Sequence, residues 1–148
     1  MNLACGLSEV DLDDFPLAII IGPFHHDDLE IQEGRRGIAL STAAMLSAKN
    51  PHTGFFSPIT HHRAILEAGG CKDETYWNKL TLKMLQSALS LYVIQITGWK
   101  NDSFVMDCIL YAEENDIAVF PVTVQYEEDT KPDSIIDHTR TLQAGEQE

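Results

Sequence analysis

Several groups of side chains in this sequence have the types and spacing to do chemistry. Phe24-His25-His26-Asp27-Asp28 follows Gly22 and Pro23, Arg35 and Arg36 come next, Ser57 leads to the pair His61-His62, and Gly98-Trp99 precedes Asp102, Ser103 and Asp107. An aromatic ring can stack on a base, arginine can grip an anion through two parallel hydrogen bonds, and Asp or His can exchange a proton with a bound ligand. Each group also has a plainer reading. The first loop reads equally as an acidic, solvated connection, Arg35 and Arg36 as surface charges, and Asp102-Ser103 as a helix cap rather than a phosphate cradle. His61 and His62 are either surface residues at a helix start or donors to a ligand's sugar or phosphate. Trp77 reads as core, and Trp99 as a lid or a loop anchor. Adjacent histidines point in different directions, so a metal at His25-His26 or His61-His62 would need ligands from several loops, and neither a metal site nor a cofactor is expected. The chain contains no GxGxxG or GxxxxGK[ST] motif, which sets aside the dinucleotide fingerprint and the P-loop.

These groups fall between elements that hydrophobic patterning marks out. Leu17-Ala18-Ile19-Ile20-Ile21 is an unbroken apolar run of the kind found in a strand covered on both faces, and it stops at Gly22-Pro23. The spacing predicts a helix over about 31–49, ended by Asn50-Pro51, and a short strand from Gly54 to Ser57. A short helix is expected over 62–72, closed by Gly69-Gly70, and Asp73 starts another whose stripe is Trp77, Leu80, Met84, Leu85 and Ala88. Leu91 to Ile96 reads as the third strand. Asn101, Asp102 or Ser103 caps a helix with Val105, Cys108, Ile109 and Ala112 inward, and Ile117 to Val122 reads as the fourth strand. Strands alternating with helices imply an α/β fold, a three-layer Rossmann-like (flavodoxin-like) domain with a four- to five-stranded parallel sheet. In such folds ligands bind beyond the carboxyl ends of the strands, where the three chemistry-bearing loops lie.

Composition bounds the partners. The 148 residues carry ten Lys and Arg against twenty-three Asp and Glu, a net charge of −13, so a nucleic-acid polymer is excluded as partner. The charge is concentrated at the ends. Residues 1–16 carry Glu9, Asp11, Asp13 and Asp14 without a base, and 127–148 carry seven acids against Lys131 and Arg140. They are read as an acidic N-terminal extension (1–16) and an acidic C-terminal tail (127–148) around a domain at 17–126. An interaction role for these ends is a weaker third reading of the protein. Cys5, Cys71 and Cys108, without CxxC spacing, fit a reducing compartment. With no apolar stretch of membrane length, a cytoplasmic protein with no membrane partner is expected.

The succession Ile-Ile-Ile-Gly22-Pro23-Phe24, Arg35 and Arg36 in an Ala-rich helix, Phe-Phe-Ser57-Pro58-Ile59-Thr60-His61, Trp77, and a strand ending in Gly98-Trp99 resembles the nucleoside 2-deoxyribosyltransferase-like superfamily, over about residues 17–122. The closest pattern is a branch of small members with a Ser-Pro-Ile-x-His loop and a Gly-Trp after the third strand. The resemblance implies cleavage or exchange of the N-glycosidic bond of nucleosides or nucleoside 5′-monophosphates, with a glutamate nucleophile and a second group assisting the leaving base, which is retaining glycosyl chemistry. It also implies a homodimer or larger homo-oligomer. The family's Ser-x-Gly-x-x-x-Glu pattern falls on Asp102, Phe104 and Cys108, and all three depart from it. Asp107, one helix step of about 100° away, is then the candidate nucleophile, with Asp28, Asp27 or His25 assisting and Ser103 taking the phosphate. Gly22, Phe24, Arg35, Arg36, Ser57, His61, Gly98, Trp99, Asp102 and Ser103 are the candidate substrate-binding residues. The alternative implied by the same departures is a nucleotide-binding sensor or sequestering protein on this scaffold.

Overall fold

The computed structural model describes residues 12–124. The expected acidic extension and tail fall largely outside them. Four strands, β1 (Leu17–Ile21), β2 (Gly54–Phe56), β3 (Ser90–Ile94) and β4 (Ala118–Val122), form one sheet in the order β2-β1-β3-β4. Every pairing is parallel, with Ile19 opposite Phe56 and Leu91, and Tyr92 opposite Phe120. This order is the first part of the flavodoxin-like series, and it reverses direction between β1 and β3.

Four helices connect the strands: α1 (Leu29–Lys49), α2 (Pro58–Glu67), α3 (Glu74–Leu85) and α4 (Ser103–Glu114). Right-handed crossovers send them to opposite faces, because the sheet grows to one side from β1 to β2 and to the other from β3 to β4. On one face Ile38, Ala39 and Leu46 of α1 pack with Ile20, Ile94 and Val122. On the other, Leu85 of α3 and Val105, Cys108 and Ala112 of α4 pack with Ile19, Ile21, Leu91 and Val93. The strand side chains alternate between the two cores, which is why β1 reads as a continuous apolar run. The result is the expected three-layer α/β, Rossmann-like fold.

The boundaries differ from the expected ones where side-chain caps decide them. Asp28 accepts from the Glu30 amide at 2.8 Å, so α1 begins at Leu29 and not near Ile31. The helix expected over 62–72 instead starts at Pro58, because proline suits the first helical turn, and ends at Glu67. In α3 the inward stripe is Trp77, Thr81 and Leu85, with Leu80 only half-buried; the Thr81 hydroxyl is accommodated by donating to the Trp77 carbonyl at 3.0 Å. Of the three candidates to cap α4, Asp102 does so, accepting from the Val105 amide at 3.0 Å. Among the described residues no helix is long and apolar enough to cross a membrane.

Candidate functional site

A cleft of about 440 Å³ opens beyond the carboxyl ends of β1, β2 and β3. Its floor is the end of β1, Ile21 and Gly22. A Cβ on Gly22 would stand 3.0 Å from Ile94 Cβ, so a glycine there lets β1 and β3 lie close together at the base of the cleft. Phe24 and His25 form one rim. The amino ends of three helices supply the walls: Pro58 and Ile59 from α2, Glu74, Trp77 and Asn78 from α3, and Ser103 and Phe104 from α4. Much of this lining is apolar and aromatic.

The charged groups of the cleft are unevenly placed. Arg63 and Lys72 stand on the side of α2 and the turn that follows it, and Asp102 stands at the start of α4. Arg63 is held by carboxylates on two helices, Glu33 of α1 at 3.0 Å and Glu67 at 3.1 Å. Glu33 also accepts from Arg36 Nε at 2.9 Å, and that hydrogen bond, with the charges of Arg36 and Arg63, holds the Glu33 carboxyl below its usual range against the opposing effect of burial. Among the described residues Lys72 has no carboxylate within ion-pair distance. His25 Nε2 lies 3.4 Å from Glu74 Oε1, linking the first loop to the start of α3.

Trp77 and His62 form the back of the cleft. Trp77 is 5 % exposed, its indole donates to the Cys71 carbonyl at 2.7 Å, and the His62 ring lies over it with centroids 4.4 Å apart. His62 Nε2 is enclosed without a hydrogen-bond partner. Burial first, then the nearby His61 and His25, lower the His62 pKa to about 4, so the imidazole is neutral at physiological pH.

Of the residues expected to serve the site, Gly22, Phe24, His25, Asp102 and Ser103 line the cleft. The others do not. Asp107 is exposed on α4, and Cys108 is fully buried in the core beneath that helix, where burial and the neighbouring Asp107 and Asp102 charges push its thiol up to about 12. The helix turns Cys108 toward the sheet, and the step to Asp107 carries the carboxylate to solvent rather than to the cleft. Asp28 is the α1 cap. Arg35, expected to grip an anion, is 6 % exposed and donates instead to the His25 carbonyl at 2.8 Å and the Thr97 carbonyl at 3.4 Å, tying the first and third loops together. Arg36 is engaged with Glu33 outside the cleft. Ser57 is buried at the α2 cap, and His61, exposed on α2, makes ring contacts with Phe56 and Trp77. Gly98, at φ 91°, makes the left-handed turn into a short 3-10 segment, Trp99–Asn101, and Trp99 packs on the second core as an anchor rather than a lid.

Sequence reasoning weighed His62 beside His61 as a ligand donor, and passed over Lys72, Glu74, Asn78 and Phe104 as site residues. Their signal was the helix starts: in a parallel α/β sheet the residues of each first turn face the strand ends, and α2 and α3 both begin there. Among the described residues no three His, Cys, Asp or Glu side chains converge as metal ligands. No family model and no curated protein matches the chain.

Proposed function

We propose that the cleft binds a nucleoside or nucleoside 5′-monophosphate and that the protein acts by binding it, as a sensor or sequestering protein, rather than by cleaving it. The observation that carries this reading is the fate of the nucleophile position. Cys108 is sealed in the core with its thiol pushed up to about 12, and neither it nor Asp107 lines the cleft. The cleft keeps what recognition needs: aromatic rings in Phe24, Trp77 and Phe104 for a planar base, and polar and cationic groups for the sugar and an anion.

A second reading keeps N-glycosidase or deoxyribosyltransferase chemistry and rests on Glu74 and Asp102, the carboxylates that line the cleft, with His25 beside Glu74. Retaining cleavage needs two carboxylates across the scissile bond. The two readings part in one assay. A panel of nucleosides and 5′-monophosphates is incubated with the protein, free base is followed by chromatography, and thermal unfolding is followed in parallel. Stabilisation without base release is the expected result. Base release that Glu74→Gln abolishes and Asp107→Asn leaves intact favours the second reading. Neither stabilisation nor release by any member of the panel removes both.

A further inference from the structure

We infer that the cleft selects the uncharged nucleoside and excludes its 5′-monophosphate, and that Asp102 sets this preference. This inference rests on the nucleotide-binding reading for the kind of ligand, and narrows it through the charges and helix ends around the cleft.

Two cations, Arg63 and Lys72, and two carboxylates, Glu74 and Asp102, line the cleft. The cations are weaker than their number implies. Arg63 donates through Nη2 to Glu33 at 3.0 Å and through Nε to Glu67 at 3.1 Å, so two carboxylates answer one guanidinium. Lys72 is exposed on the turn that leads into α3, where water and salt screen its charge, and the next residue is the acid Asp73. His62, at the back wall, is neutral at physiological pH and adds no positive charge.

The helix ends point the same way. An anion in an α/β cleft is commonly held by the free amides of a helix start, unless a carboxylate already occupies them. Asp102 Oδ1 accepts from the Val105 amide at 3.0 Å, and Asp73 Oδ1 accepts from the Thr75 amide at 2.9 Å. Glu74 adds a second acid to the first turn of α3. The remaining helix at the cleft, α2, begins with Pro58, which has no N–H to offer. A phosphate monoester carries a charge of about −1.5 to −2 at neutral pH. At α4 it meets a carboxylate of the same sign beside the Phe104 ring, and apolar walls screen that repulsion poorly.

Asp102 also suits the unesterified sugar. An ionised carboxylate only accepts hydrogen bonds, and it has two oxygens to do so. Oδ1 serves Val105, whereas Oδ2 accepts from none of the described residues. A free sugar hydroxyl is a donor for such an oxygen. Its phosphate ester replaces the donor with acceptors and brings more negative charge. One carboxylate thus favours the nucleoside and opposes the monophosphate.

Titration calorimetry on the full chain with adenosine, guanosine, cytidine and uridine, their 5′-monophosphates and inorganic phosphate tests this. The wild type is expected to bind at least one nucleoside about tenfold or more tightly than its monophosphate, a modest factor for like charges brought together. Asp102→Asn keeps an oxygen to cap α4 and removes the charge, and it is expected to bring that ratio below about threefold. Asp102→Ser, another neutral cap, takes its place if the amide variant does not fold. Glu113→Gln removes a charge from the exposed far end of the same helix and is expected to keep the wild-type ratio. Equal or tighter binding of the monophosphate by the wild type, or an unchanged ratio in the neutral-cap variant, overturns the inference while nucleotide binding stands. If no nucleoside and no monophosphate binds, the nucleotide-binding reading falls and inorganic phosphate decides the inference alone. Phosphate binding to the neutral-cap variant but not to the wild type upholds it, and any other phosphate result overturns it.

Discussion

His62 is the side chain whose surroundings are most at odds with its ordinary chemistry. A ring packed on Trp77 with an enclosed nitrogen is held neutral, with its pKa lowered from 6.5 to about 4. The unfolded chain takes up a proton at this position near the ordinary histidine value, whereas the folded protein does so only near 4. Its contribution to stability is therefore complete above about pH 6.5 and is lost as the pH falls toward 4. Urea midpoints at pH 7.5 and 4.5 are expected to fall further in the wild type than in His62→Phe, which keeps a ring against Trp77 and cannot titrate. An equal fall in both proteins would show that other groups carry the acid sensitivity. Little of this was visible in the sequence, where His61 and His62 were indistinguishable neighbours. Their separation into an exposed ring and a half-buried one depends on where α2 begins, since one helical step turns adjacent side chains by about 100°.

At the scale of elements, the caps explain both what was legible and what was misplaced. Asp102 satisfies the first turn of α4 through the Val105 amide, and Asp102→Ala is expected to cost about 1 kcal/mol, in the range for lost N-caps, read as a shift in urea midpoint with an unchanged slope. The strands and the order of elements could be read from runs such as Leu17–Ile21 and Leu91–Ile94, because burial on both faces leaves no polar residue to blur the pattern. The start of α2 could not be read the same way. Ser57-Pro58 resembles a turn until proline is counted as a first-turn residue, so the helix was expected from residue 62 and His61 and His62 were both set at its start. Arg35 failed for another reason: an arginine in an amphipathic helix gives no sign of whether it faces solvent or two backbone carbonyls, one of them 62 residues away from it in sequence.

For the molecule as a whole, that arginine is the tie between the two halves of the cleft rim. Its bonds to the His25 and Thr97 carbonyls hold the loop after β1 against the loop after β3. Arg35→Met is expected to lower stability by about 1–3 kcal/mol, since part-buried hydrogen bonds from a charged donor to the His25 and Thr97 carbonyls are lost, and amide hydrogen exchange at Phe24–Asp28 and Gly98–Asn101 is expected to rise together. Acceleration in only one loop would mean that the arginine does not couple them. The net charge of −13 belongs to the whole chain, while the cleft has its own local field, with Lys72 accessible on one side and the Asp102 carboxylate on the other. The indole of Trp77 sits within that field, bonded to the Cys71 carbonyl and covered by the His62 ring. The protein has two tryptophans, and Trp99 lies on a separate anchor. In a Trp99→Phe background the remaining emission comes from the back wall of the cleft alone, an intrinsic optical probe that registers occupancy as a change in colour or quenching and protonation of the imidazole as a change in intensity, without any attached dye.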